Sequence, residues 1–129
     1  MIVDSSAVIA ILRQEPTHEV LTAALAAAEV RLMSAATYVE AGIVADTRGP
    51  LSGRGLDEVL ADFAIDIVPL TAEQARIARQ AYRDYGRGSG HPANLNFGDC
   101  FSYALAAERR EPLLFVGDDF GHTDIRSAI

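Results

Sequence analysis

Short apolar runs along the chain alternate with longer stretches of helical periodicity. Residues 1–3 are apolar and stop at Asp4, as a buried parallel strand does. Helical residues follow to about Arg13, and Pro16-Thr17 breaks and restarts the chain. From His18 to Glu29, Val20, Leu21, Ala24, Leu25 and Ala28 recur at helical spacing, and Val30 to Met33 reads as a second strand. Ser34 is placed to cap a helix carrying Tyr38, Glu40, Ile43 and Val44. Thr47 to Gly55, rich in Gly, Ser and Arg, predicts a loop, with the next helix drawn from Leu51 and from Leu56 to Phe63. Ile65 to Leu70 is a third strand, and Thr71 with Gln74 forms a capping-box pattern opening a helix to about Tyr85. Gly86 to Asn96 reads as loop, Gly98 to Arg110 as helix and Leu113 to Val116 as a fourth strand. The tail from Gly117 has room for a last strand near Asp124-Ile125. This alternation implies an α/β fold, a mostly parallel sheet of four to five strands with helices on both faces.

Composition adds bounds rather than chemistry. With 129 residues, half of them hydrophobic, the chain fits a single domain, residues 1–129, with one sizeable core. No apolar run approaches the roughly 20 residues that cross a bilayer, and no basic leader opens the sequence, so no membrane association or signal peptide is expected. The single Cys100 has no partner for an internal disulfide, which suits a reduced, cytoplasmic setting. The formal charge of −7 argues at face value against a polyanionic ligand. Against that, all 11 cationic residues are arginine, whose fork matches phosphate geometry, and carboxylates converging on a cation lose part of their charge.

The acidic residues acquire meaning from their positions. In parallel α/β sheets, sites form at the carboxyl ends of the strands. Asp4 follows the first strand directly; Asp118 and Asp119 follow the fourth after a turn glycine; Asp99 opens the last long helix; Glu40 lies inside an otherwise apolar stretch of helix. Each has an ordinary structural explanation alone: a helix cap for Asp4, a turn for the Asp pair, the helix dipole for Asp99 and a solvent-facing position for Glu40. Together they form a set able to meet at one sheet edge. Two carboxylates about 5 Å apart repel by roughly 3 kcal/mol at an effective dielectric of 20, so four require protonation or a cation. Oxygen-only donors select a hard ion, Mg²⁺ or Mn²⁺, which can activate water for phosphoryl displacement.

The segments Met1-Ile2-Val3-Asp4-Ser5-Ser6-Ala7, Ser34 to Glu40, Asn96-Phe97-Gly98-Asp99-Cys100 and Leu114-Phe115-Val116-Gly117-Asp118-Asp119-Phe120 with Thr123-Asp124-Ile125, in that order, resemble the PIN-domain nucleases, and within them the VapC-type toxins. The resemblance spans nearly the whole chain. It implies a PIN-like three-layer sandwich and a Mg²⁺- or Mn²⁺-dependent endoribonuclease, hydrolysing RNA through water activated by the ion. It also implies inhibition by a small cognate antitoxin, and a homodimer or a toxin–antitoxin hetero-oligomer. By the same resemblance the first three acids fall on Asp4, Glu40 and Asp99. The fourth falls on Asp118, with Asp119 as its rival, and Ser5 or Ser6 matches a family hydroxyl beside the first acid. On that assignment Asp4 and Asp99 are the expected direct metal ligands, with Glu40 and Asp118 closing the shell or orienting water.

Other polar residues have simpler readings. His18, His91 and His122 show no ligand spacing, and Cys100 reads as a small buried hydrophobe. Arg76, Arg79 and Arg83 share one helix face and suit an RNA path, but without lysine, arginine must supply every solvated positive surface; the same applies to Arg13, Arg48 and Arg54. Two other functions compete. A haloacid-dehalogenase-like phosphohydrolase also begins with a strand ending in aspartate, but it needs an acid two residues later, where this chain has Ser6, and a lysine that it lacks. A partner-bound regulatory module without significant catalysis would not need the complete acid set.

Overall fold

The computed structural model describes residues 1–47 and 50–129, the side chains of residues 50–54 apart. In chain order the elements are β1 (Ile2–Val3), α1 (Ser5–Leu12), α2 (His18–Ala27), β2 (Leu32–Ser34), α3 (Ala35–Asp46), α4 (Pro50–Asp62), β3 (Asp66–Val68), α5 (Ala72–Tyr85), α6 (Asp99–Arg109) and β4 (Leu113–Leu114), with a 3-10 turn at Phe120–His122. The strands form one parallel sheet in the order β3-β2-β1-β4. Ile2 lies opposite both Leu32 and Leu113, so the carboxyl ends of β1, β2 and β4 finish along one edge.

Strand alternation assembles the layers. Ile2, Leu32 and Leu113 point to the face covered by α5 and α6, where Ala78, Ala81, Tyr103, Ala104 and Leu105 pack. Val3, Met33 and Leu114 point to the opposite face and meet Val8 of α1, Leu21 and Leu25 of α2, Ala41 of α3 and Leu60 of α4. Both faces are therefore covered, which explains why the strands read as unbroken apolar runs.

Three local expectations need correction. The stretch assigned to loop from Thr47 to Gly55 is helical from Pro50 onward. Proline is suited to a first helical residue, where the missing N–H has no partner to lose. Gly55 serves packing, because a Cβ there would stand 2.7 Å from Leu12 Cδ1 of α1. The expected fifth strand near Asp124-Ile125 reduces to an isolated parallel bridge between Leu113 and Ser127. Of the Thr71–Gln74 capping box only half forms: the Gln74 N–H donates to Thr71 Oγ1 at 3.1 Å, but the buried Gln74 side chain donates to Glu108 at 2.7 Å.

Candidate active site

Asp4 is the first residue past β1 and caps α1. Because that strand is central and both its faces are covered, the carboxylate is only 2 % exposed. A buried carboxylate requires donors. Asp4 Oδ2 accepts the Ser6 N–H at 2.9 Å and the Ser6 hydroxyl at 2.7 Å, and Oδ1 accepts the Ser102 hydroxyl at 2.6 Å. Ser6 Oγ in turn accepts the Val116 N–H at 3.0 Å, tying the end of β1 to the segment leaving β4. The position where a phosphohydrolase would carry its general acid is thus a hydroxyl committed to holding Asp4 and the backbone.

Glu40 sits on α3, one residue after the exposed Val39, yet its own side chain is half-buried and directed to the sheet edge. It accepts the Ser5 hydroxyl at 3.2 Å. The carboxylate lies against Gly98, where any Cβ would collide with it. Burial, followed by the charge of Asp4, raises the Glu40 carboxyl above its usual range, and the Ser5 hydrogen bond partly offsets this.

Asp99 is held by a reciprocal cap. Its Oδ2 accepts the Asn96 N–H at 2.7 Å, while its own N–H donates to Asn96 Oδ1 at 3.0 Å. Despite that bond its carboxyl is pushed up to about 7, first by burial and then by the charges of Asp4, Asp119 and Glu40. The charges of three acids from other parts of the chain therefore bear on the Asp99 carboxyl.

The Asp118/Asp119 pair divides at this point. Both are exposed residues entering the 3-10 turn, but it is Asp119 whose charge reaches Asp99. Asp118 lines a groove between α2 and the tail with Thr17, Leu21, Phe115 and His122. Asp119 is thus the one coupled by charge to Asp99, while Asp118 lies in the groove beside α2.

Among the described residues, none of Asp4, Glu40, Asp99 and Asp119 pairs with an arginine, and no three His, Cys, Asp or Glu side chains stand close enough to enclose an ion as they are. Each carboxylate leans instead on its own donors: Ser6 and Ser102 for Asp4, Ser5 for Glu40 and Asn96 for Asp99. The donor set is wholly oxygen and, among the described residues, paired with no cationic side chain, which fits a hard divalent ion.

Three contributors were given no role of their own in the sequence reading. Ser102 and Thr37 are fully buried hydroxyls behind Asp4, and Gly98 is the floor under Glu40. Only their places, three residues from Asp99 and Glu40 and one before Asp99, could have marked them. The histidines do local work: His18 Nδ1 meets Glu15 O at 2.8 Å, and His91 Nδ1 accepts the Ala93 N–H at 3.2 Å while its ring packs on Tyr85. Arg13 and Arg76 are drawn to Glu15 and Glu73. Arg79 and Arg83 line a groove of about 520 Å³ with Tyr82, Phe97 and Phe101. Arg48 lies outside the described residues, as does the side chain of Arg54. Phe97, next to Gly98, is 76 % exposed and separates that groove from a second, lined by Val39, Glu40 and Ile43.

Residues 1–126 match the family profile described as PIN domain. The chain is 58% identical over 130 residues to Ribonuclease VapC28 of Mycobacterium tuberculosis, covering 100% of this chain and 98% of that relative. It is 54% identical over 129 residues to Ribonuclease VapC42 of the same species, covering 99% and 98%. Its fold superposes on that of the M. tuberculosis toxin VapC20, described as cleaving the sarcin–ricin loop, with a TM-score of 0.74 at 16% identity over 96% of this chain and 95% of the other. A chain from a Klebsiella pneumoniae toxin–antitoxin complex gives a TM-score of 0.73 at 15% identity, over 99% and 97%. At such identities the superpositions speak for the fold.

Proposed function

The chain belongs to the PIN-domain family and, within it, to the VapC-type toxins, and from that premise we propose that it is the endoribonuclease toxin of a toxin–antitoxin pair, dependent on Mg²⁺ or Mn²⁺. We take residues 1–129 as one nuclease domain acting in the cytoplasm. The observation that carries the reading is that the charges of Asp4, Glu40 and Asp119 all bear on the half-buried Asp99 carboxyl, while among the described residues no arginine pairs with any of the four. Asp4 and Asp99 would hold the ion, with Glu40 and Asp119 completing the acidic rim. When bound, the ion supplies charge neutralisation and water activation for phosphodiester hydrolysis.

The residues divide the remaining work. Ser6 and Ser102 fix the Asp4 carboxylate, so it enters the reaction already oriented. Ser5 and Gly98 hold the Glu40 carboxylate in the polar rim instead of letting it turn to solvent with Val39. Glu40, with a raised affinity for protons, is suited to accept one from an attacking water. The exposed apolar surface of Phe97, Val39, Ile43 and Tyr82 beside the site suits an apolar segment of a protein partner, in keeping with a small antitoxin and with assembly into a homodimer or hetero-oligomer.

Purified protein incubated with RNA tests the reading. Cleavage is expected with Mg²⁺ or Mn²⁺, and is expected to cease with chelator and in Asp4→Asn and Asp99→Asn. Cleavage that survives both substitutions and the chelator overturns it.

A further inference from the structure

Behind Asp4, where β1, α3 and α6 meet, lie two hydroxyls with no contact to solvent. Ser102 of α6 and Thr37 of α3 are both 0 % exposed, and their oxygens stand 3.1 Å apart. Ser102 is the one aliphatic hydroxyl among the buried residues of α6, otherwise Cys100, Tyr103, Ala104, Leu105 and Ala106. Burying such a group without need is costly, whereas alanine would fill the same place with no polar atom. The alignment of the pair explains its presence. Ser102 has a single proton, and at 2.6 Å that proton belongs to Asp4 Oδ1, since a carboxylate can only accept. The Thr37 hydroxyl must then donate to Ser102 Oγ. The chain of donors runs in one direction, Thr37 to Ser102 to Asp4.

The donors also decide which part of Asp4 is left over. A carboxylate offers about four lone-pair positions. Two on Oδ2 are taken by the N–H and hydroxyl of Ser6, and one on Oδ1 is taken by Ser102. One position on Oδ1 remains. We propose that Thr37 and Ser102 are positioning residues that present this single remaining Oδ1 lone pair of Asp4 to a divalent cation, making Asp4 a one-oxygen ligand aimed from behind. Thr37 acts only through Ser102, and neither touches RNA.

This inference rests on the acid cluster being a cation site, and the two fail differently. Mn²⁺ is titrated into the full chain and free Mn²⁺ is read from its electron paramagnetic resonance signal, with Tm recorded for every variant. Ser102→Ala is expected to weaken Mn²⁺ binding about 10-fold or more, as is typical when a partner behind a metal ligand is removed. Thr37→Val, which keeps the side-chain shape and removes only the hydroxyl, is expected to weaken it several-fold. Thr37→Ser is expected to restore it, and Thr37→Val is expected to add nothing in the Ser102→Ala background. If Ser102→Ala or Thr37→Val binds Mn²⁺ as the unaltered chain does, or if Thr37→Val acts equally in both backgrounds, the relay is overturned while the cation site stands. An unaltered chain that takes up no Mn²⁺ overturns both.

Discussion

Asp99 has to ionise in the company of three other carboxylates, and the cost falls on stability. Its carboxyl is raised from 3.8 to about 7 in the folded chain. A raised acid contributes its stabilisation in full below the unfolded value and loses it as pH climbs through the folded one. The chelated protein should therefore lose stability between about pH 4 and pH 7, and Glu40, raised in the same direction, adds to the slope. Asp99→Asn keeps an oxygen for the Asn96 N–H but cannot ionise. After discounting for solvent around a partly exposed group, it should stabilise the chelated protein at pH 8 by on the order of 1–2 kcal/mol, a rise of roughly 3–8 °C in Tm. Melting curves across pH check this; a Tm of Asp99→Asn at or below that of the unaltered chain at pH 8 contradicts it. Asp119→Asn should reduce RNA cleavage by about 100-fold or more and Asp118→Asn by less than about threefold; the reverse order in a cleavage assay would return the fourth acid to Asp118. Gly98→Ala should displace Glu40 and lower cleavage at least about tenfold with little change in far-UV circular dichroism. Asp4, Glu40 and Asp99 were legible in the sequence because strand ends and an apolar helix flank made them conspicuous. Ser102 and Thr37 were not, because a buried hydroxyl and an exposed one look alike in a sequence and only the crossing of α3 with α6 brings them behind Asp4.

Among the elements, caps and strands were readable where local chemistry rules. Thr71 at the start of α5 is one such place, and Thr71→Ala should cost about 1 kcal/mol, lowering Tm by roughly 3–5 °C without altering cleavage. Differential scanning calorimetry beside a cleavage assay separates the two effects; a loss of cleavage at unchanged Tm would contradict this assignment. The strands β1, β2 and β4 were legible because both faces of the sheet are covered and every residue in them had to be apolar or a cap. The start of α4 was hidden because Gly55 looks like a breaker, whereas its lack of a side chain lets α1 and α4 come together at Leu12. The second half of the Thr71–Gln74 box was hidden for a related reason: a tertiary partner, Glu108, took the Gln74 amide away from its local role.

For the whole molecule, a parallel sheet aligned at Ile2 against Leu32 and Leu113 brings acids separated by more than a hundred residues to one edge. Net charge, which argued against RNA, is a poor guide here because part of the surplus is concentrated in the cluster that a cation would neutralise. Binding to the folded state alone should stabilise it by mass action, so millimolar Mg²⁺ or Mn²⁺ should raise Tm and flatten the pH slope described above. Crystals grown with Mn²⁺ and measured for anomalous scattering address the central claim directly. The expected map has a peak roughly 2.0–2.3 Å from both Asp4 Oδ1 and an Asp99 carboxylate oxygen. A map with no peak there, or with Mn²⁺ held only by residues away from these two, contradicts it.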